Sequence, residues 1–312
     1  MAHVFSVTGT IFLVITFGFV CVTMGIFSKN SLRALGDFVV KIALPALILK
    51  ALSSQQISDV LNFGYLAAYL LGSIMVLIAG FFVAGLLNPK NATARAFDTA
   101  GMACANSGFV GYPILLLALP AIAPTALALN MMVENLIIIP LVILMAELAA
   151  GKNEGSVVAS KIFHRMITNP NVMAIIAGVG FVLLELQLTT PVSNAIDLIA
   201  ASSIAVSLFV IGGTIAGVSL AKIGIRVVAI VFGKLFCLPL AVWVCLEFMG
   251  TIGLGVENET LRTGAIIMAA SPAMSLYPLL AQQYGEEDTA AVAMFVMTIL
   301  SFFTLSALLY FV

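Results

Sequence analysis

Runs of about 20 apolar residues recur along this chain, and each is long enough to cross the hydrocarbon core of a bilayer as a helix. Short polar breaks such as 88–91 and 286–288 separate them. The sequence therefore predicts an all-α polytopic membrane protein with ten transmembrane helices. The predicted spans are 7–27, 34–52, 63–87, 95–118, 124–148, 170–188, 194–216, 224–249, 262–283 and 289–311.

The composition excludes several classes of soluble protein. Of the 312 residues, 62% are hydrophobic and 9% are charged, whereas a soluble domain has about 25% charged residues. A net charge of -1 leaves no basic stripe for a nucleic-acid partner. The four cysteines lie in apolar runs without a CxxC pair, so neither a disulfide framework nor a metal site is predicted. No cofactor motif or HExxH, GxSxG or Walker signature is present, so we do not expect an enzyme.

The longest polar break, 150–169, divides the chain into two halves of five spans each, at 1–149 and 170–312. Because five is odd, the second half enters the membrane with the opposite polarity to the first. This is the inverted-repeat arrangement of many secondary transporters. The sequence therefore favours a transporter over a receptor or a membrane-embedded enzyme.

The distribution of basic residues predicts the orientation. Alternate loops, beginning after the first span, hold most of the Lys and Arg, whereas the opposite side holds Lys50 and Arg262. The positive-inside rule then places the 150–169 linker in the cytoplasm and both termini outside. The residues that set this orientation are Lys29, Arg33, Lys90, Arg95, Lys152, Lys161, Arg165, Lys222 and Arg226.

The fourth span of each half carries helix-breaking residues near its middle, and Tyr-Pro recurs at 112–113 and 277–278. Proline and glycine unwind helices, and in lipid the freed backbone is tolerated where it is buried or lines a cavity. The resulting half-helix ends attract anions. A pair of kinked helices without a ligand is the alternative. The predicted substrate-binding residues here are Asn106, Ser107, Gly108, Pro113, Ser271, Pro272 and Pro278.

Three ionisable residues lie well inside predicted spans, where a charge costs at least about 2.5–3.5 kcal/mol. Lys41 follows Asp37 by one helical turn, so it is either a paired structural charge or a cation near the substrate path. Lys234 has no acidic neighbour one turn away and is a second candidate cation. Glu134 shares a helix face with Asn130, and both are candidates for ion coupling, with a salt bridge to a lysine as the alternative for Glu134.

Three motifs resemble the auxin efflux carrier family. They are the second-span segment 37–47 (DFVVKIALPAL), the fourth-span segment 106–113 (NSGFVGYP), and the pair Asn169-Pro170. The resemblance covers essentially the whole chain. The short central loop is similar to that of bacterial members, including malonate and malate permeases.

The resemblance implies a ten-span inverted repeat shared with bile-acid symporters and sodium–proton antiporters. Spans 1, 2, 6 and 7 would form a scaffold, and spans 3–5 and 8–10 a moving transport domain in which spans 4 and 9 cross. Asn106, Pro113 and Pro278 would be the crossover residues. Substrates of this family are organic anions, in agreement with the half-helix ends inferred above.

We therefore expect a secondary carrier for a small carboxylate, malonate first, that works by elevator-like alternation in the bacterial cytoplasmic (inner) membrane. Transport would be coupled to a proton or a sodium ion, and a homodimer through the scaffold is compatible with this architecture. A cation–proton antiporter of similar fold and a non-transporting ligand sensor are the alternatives. An antiporter needs buried carboxylates at the crossover, where this sequence offers Asn106 and Ser271 with Glu134 nearby.

Overall fold

The computed structural model describes residues 2–53, 55, 62–151, 155–218 and 223–311. Within these ranges the chain is helical, apart from turns, extended connections and one isolated antiparallel bridge. Lys152 and Lys222, used for the predicted orientation, lie outside the described residues, as does the side chain of Lys29. The helices are α1 (Ala2–Thr23), α2 (29–53), α3 (Phe63–Leu87), α4 (Ala92–Ala103), α5 (Ser107–Ala118), α6 (Ala123–Ala150), α7 (Gly155–Ile167), α8 (Pro170–Leu183), α9 (Thr190–Ile215), α10 (Ile225–Thr251), α11 (Glu259–Ala270), α12 (Tyr277–Gln282) and α13 (Glu287–Tyr310).

Six helices of the described chain, α1, α3, α6, α9, α10 and α13, are long and apolar enough to cross a membrane. A seventh span results if α7 and α8, which bend by 60° at their junction, are taken together. Large apolar side chains point outward, including Leu13, Phe82 and Phe303, which suits a lipid environment. The chain is therefore a polytopic membrane protein. Charged or interrupted helices occupy the predicted spans 34–52, 95–118 and 262–283. The total of ten membrane spans therefore stays a prediction.

Most of the predicted linker, 150–169, is helical. Val158, Ile162 and Met166 recur every four residues along α7, and Val158 is fully buried. This spacing gives the helix one apolar face to pack. Asn169 then ends the helical path, because a residue before proline disfavours the helical conformation. Its side chain caps α8 by accepting a hydrogen bond from the Asn171 amide at 2.9 Å.

Within the described ranges, four helices contain a π-helical turn, and each turn ends two residues before a proline. Proline has no N–H to donate, and its ring clashes with the carbonyl four residues earlier. One extra residue in the preceding turn relieves this conflict, and such turns are frequent at functional sites. The four turns are Val39–Ala43 before Pro45, Ser107–Gly111 before Pro113, Glu134–Ile138 before Pro140, and Gly233–Cys237 before Pro239.

Two sets of helices pack closely. Helix α1 runs along α9, and α2 packs on α8 and α9; separately, α3 packs on α4 and α10. Glycines allow close approach in both sets. A methyl group at Gly212 of α9 would overlap the backbone carbonyl of Ile15, and one at Gly72 of α3 would lie 2.8 Å from the Val242 amide nitrogen.

A charged cluster ties the two halves of the chain together at the beginning of α10. The Arg226 guanidinium donates from Nε and Nη2 to the two oxygens of Asp98, at 2.9 and 2.8 Å, and from Nη2 to Glu286 at 2.8 Å. Asn88 donates to Asp98 at 2.7 Å, and Asn91 donates to Glu286 at 2.9 Å. Because Asp98 is almost fully buried, this cluster fixes α4 against α10 and the loop before α13.

We predict that Arg226→Met destabilises the fold by about 3–5 kcal/mol, because it leaves the Asp98 carboxylate buried without its bidentate partner. Arg262→Met is the matched control, since the partners of Arg262, Glu247 and Glu259, are exposed and such pairs contribute about 0–1 kcal/mol. Thermal unfolding of both purified variants in detergent measures the difference. Equal losses would contradict a structural role specific to the Arg226 cluster.

Candidate functional site

The two interrupted helices meet at their breaks. The first break separates α4 from α5 at residues 104–106, and the second separates α11 from α12 at residues 271–276. Ala105 and Ala273 form an antiparallel bridge, and the Asn106 amide donates to the Pro272 carbonyl at 2.9 Å. Each break therefore supplies hydrogen-bonding partners that the other has lost.

Asn106 makes hydrogen bonds to both sides of this junction. Its side-chain Nδ2 donates to the Ser275 hydroxyl at 2.8 Å, so it contacts the second break twice. Its own carbonyl accepts the first hydrogen bonds of α5, from the amides of Val110 and Gly111 at 3.0 Å. The amides of 107–109 precede those bonds and form the N-terminal turn, where a helix attracts anions.

Glu134, in the π-helical turn of α6, is buried beside the first break. One carboxylate oxygen, Oε1, accepts hydrogen bonds from the Tyr69 hydroxyl at 3.2 Å, the Ala105 amide at 3.2 Å and the Ser107 hydroxyl at 3.1 Å. An ionised carboxylate is an acceptor only and suits three donors. The side chain thus holds the break in place while it also lines a cavity.

Asn130 extends this network by one helical turn. Its Nδ2 donates to the Ser107 hydroxyl at 2.7 Å, and its oxygen accepts from the Tyr65 hydroxyl at 3.0 Å. The rings of Tyr65 and Tyr69 stack with centroids 6.3 Å apart. Asn130 is fully buried and lies behind the surface that a ligand would meet.

Lys234 is fully buried on the other side of the junction. Its ammonium donates to the Ala269 carbonyl at 2.5 Å, in the last turn of α11. A cation is favourable there because the end of a helix carries unpaired carbonyls and partial negative charge. The charges of Lys234 and Glu134 also interact, although these two residues form no direct salt bridge.

A cavity of about 410 Å³ opens beside the junction. One wall comes from α2 and α8, and the other from α5, α6, α12 and the two breaks. Apolar side chains such as Leu44, Met131 and Ile139 cover much of it. The polar residues that line it are Asn106, Ser107, Glu134, Asn135, Arg165, Asn169, Asn171, Ser275 and Gln283.

The structure brings part of the predicted site to this cavity. Asn106, Ser107, Gly108 and Glu134 line it. The other predicted residues do not: Pro113, Ser271 and Pro272 are buried outside its lining, Lys234 is buried at α11, and Pro278 lines a neighbouring cavity of about 490 Å³.

Lys41 also lies away from the cavity. Its side chain is 62% exposed and forms a 3.1 Å salt bridge with Asp37. The pairing follows the i, i+4 spacing, and the π-helical turn at 39–43 does not rotate the side chain inward. Lys41 is therefore a paired charge on the outer face of α2.

Comparison with known proteins gives the family. A family model described as a membrane transport protein matches residues 3–309. The chain belongs to this family. It is the auxin efflux carrier family, as the motifs in spans 2 and 4 predict.

Two relatives of this membrane transport protein are informative. A protein named "Putative malonate transporter" from Rhizobium meliloti (strain 1021) is 29% identical over 280 residues, which cover 88% of this chain and 85% of the relative. A protein named "Lysosomal cholesterol signaling protein" from Mus musculus is 24% identical over 298 residues. That match covers 88% of this chain but 33% of the mouse protein.

Sequence reasoning missed several residues that line the cavity of this family member. Ser275 lies in the second break and Ser107 directly follows the first, so the matching serines offered a signal. Asn171 and Arg165 offered none, because they reach the cavity through the bend between α7 and α8. Pro140 and Pro239 were a further signal, since each marks the π-helical turn that holds a buried charge.

We predict that Glu134 and Lys234 stabilise the fold jointly. Lys234→Met should lower the unfolding temperature, because it leaves the Glu134 carboxylate without a nearby cation. Adding Glu134→Gln should restore part of the loss, with a coupling energy of about 0.5–3 kcal/mol. Thermal unfolding of the wild type, both single variants and the double variant measures this cycle. Strictly additive losses would show that the two charges are independent.

Proposed function

We propose that this chain is a secondary transporter that moves a small organic anion, a carboxylate such as malonate, across the bacterial cytoplasmic membrane. The observation that carries the proposal is the placement of Asn106, Ser275 and the first-turn amides of α5 at one cavity. These are neutral groups that can donate hydrogen bonds to a carboxylate, and their residues share one cavity lining. The name of the Rhizobium meliloti relative supports malonate as the first substrate to test.

The charges around the cavity favour an anion. Glu134 contributes one negative charge to the lining, and Lys234 interacts with it from the buried side. Arg165 then adds a positive charge to the lining itself. The positive charges of Lys234 and Arg165 therefore offset the negative charge of Glu134 when a carboxylate enters this cavity.

The architecture that we propose is the ten-span inverted repeat, with halves at 1–149 and 170–312 joined by the cytoplasmic linker 150–169. Helices α1, α2, α8 and α9 would form the scaffold, and the other spans the transport domain with spans 4 and 9 crossed. The mutual packing of α1, α2, α8 and α9 supports this division, and the bridge between the two breaks supports the crossing. Both termini would then lie outside, by the distribution of Lys and Arg.

Elevator-type alternating access would follow from the two walls of the cavity. The wall from α2 and α8 belongs to the proposed scaffold, whereas the breaks and α6 belong to the proposed transport domain. A sliding motion between these walls would carry a ligand bound at Asn106 across the membrane. Arg165 and Asn169, which belong to the proposed cytoplasmic linker, line the present cavity, so we assign this structure to the cytoplasm-facing state.

We predict that Asn106→Ala weakens malonate binding at least about tenfold, because hydrogen bonds to a charged group contribute about 1.5–3 kcal/mol. Asn194→Ala, the same substitution on the exposed face of α9, is the control. Solid-supported-membrane currents and labelled-malonate counterflow in liposomes measure the effect. Wild-type affinity in Asn106→Ala would refute the assignment, and a wild type that transports no small carboxylate would refute the proposed function.

We propose Glu134 as the residue that couples transport to protons. It is buried, it lines the cavity, and it is hydrogen-bonded to Ser107 and to the Ala105 amide next to Asn106. A change in the protonation of Glu134 would therefore alter the hydrogen bonds that hold the break at which the anion binds. Asn130 would assist by orienting the Ser107 hydroxyl.

We predict that Glu134→Gln removes the pH dependence of net transport while counterflow of labelled substrate continues, because glutamine keeps the size of the side chain but does not titrate. Glu185→Gln, which neutralises an exposed carboxylate at the end of α8, should leave the pH profile unchanged. Initial rates measured across pH test both. An unchanged profile in Glu134→Gln would return this residue to a structural role.

A further inference from the structure

The wall of the cavity opposite the two breaks contains an unpaired buried amide. Asn171, in the first turn of α8, is 7% exposed, and neither the oxygen nor the NH2 group of its side chain has a hydrogen-bond partner among the described residues. Its backbone amide is already used in the cap formed by Asn169, so the side chain is not needed to begin the helix. Buried polar groups are nearly always paired, and an unpaired one indicates a missing partner such as a ligand.

A cation lies on the same side of the cavity. Arg165, in the last turn of α7, lines the cavity and forms no ion pair with an acidic residue of the described chain. The bend of 60° between α7 and α8 brings it to the same lining as Asn171. A guanidinium binds a carboxylate through two parallel hydrogen bonds, which favours this ligand over a neutral one.

The donors in the cavity lining come from two different parts of the chain. Asn106, Ser275 and the first turn of α5 belong to the two breaks and the helix after the first, whereas Arg165 and Asn171 belong to α7 and α8. Leu44, Met131 and Ile139 add apolar surface to the same lining. A ligand that uses both groups of donors carries two acidic groups on a short carbon skeleton.

We infer that Arg165 and Asn171 bind a second carboxylate, so that the cavity selects dicarboxylates over monocarboxylates. The inference rests on the proposed function and adds the basis of its specificity. One carboxylate meets Asn106 at the breaks, and the other meets the guanidinium. The Asn171 NH2 group, which has no hydrogen-bond partner among the described residues, donates to the same carboxylate.

The test compares malonate with monomethyl malonate, which keeps the skeleton but has one carboxylate. The full chain is reconstituted in liposomes, and the half-saturating concentration of each anion is measured by competition against labelled malonate counterflow, with direct binding to purified protein for weak variants. We expect Arg165→Gln to raise the half-saturating concentration of malonate at least about tenfold. The half-saturating concentration of monomethyl malonate should change less than about twofold. Asn171→Ala should give a smaller loss that is again confined to malonate.

Matched variants separate recognition from folding and from general charge. Lys161→Gln removes a positive charge one turn earlier on α7 and outside the cavity lining, so both anions should bind as in the wild type. Arg165→Lys keeps the charge without the planar fork and should give an intermediate malonate affinity. Thermal unfolding of each variant should match the wild type.

Each contrary outcome has a distinct meaning. If Arg165→Gln weakens both anions equally, or if Lys161→Gln does the same, the effect is general attraction and the second site is overturned. If Arg165→Gln leaves malonate unchanged while Asn106→Ala abolishes its binding, the transporter proposal stands and the second site falls. If the wild type binds neither anion, the proposed substrate class fails and the inference fails with it.

Discussion

The hydrocarbon core of a bilayer contains no water to pair with backbone N–H and C=O groups, so any break in a spanning helix must be satisfied by protein. In this chain two breaks satisfy one another, through the bridge between Ala105 and Ala273 and the hydrogen bond from Asn106 to Pro272. The rest of the site is arranged around that contact. Glu134 holds one break from the side of α6, and Lys234 holds the helix end that leads into the other.

Prolines place these buried charges. Glu134 and Lys234 each lie in a π-helical turn that ends two residues before a proline. The missing amide of the proline leaves a carbonyl unpaired, and the wider turn changes the direction in which nearby side chains point. Ser207 donates to the carbonyl of Phe109, four residues before Pro113, at 3.5 Å. Backbone irregularity and buried charge therefore coincide in these two helices, at turns that precede a proline.

The sequence predicted the features that depend on local pattern and missed those that depend on helix rotation. Apolar runs revealed a polytopic membrane protein, and the Pro and Gly residues of spans 4 and 9 located both breaks. Whether Lys41 faces the cavity or the exterior depends on how α2 is rotated against its neighbours, which no local pattern encodes. The same applies to Arg165 and Asn171, since no local pattern predicts the bend between α7 and α8 that brings them to the cavity.

The bridge between the breaks has a consequence for how the protein is made. Residues of the first break are synthesised and reach the membrane about 165 positions before those of the second, at a time when Pro272 and Ser275 do not yet exist. Until then the amide of Asn106 needs water or another partner. The first half of the chain thus reaches its final hydrogen bonding only when its counterpart arrives. Maturation of this transporter is therefore a joint event of both halves and not a sequence of two independent insertions.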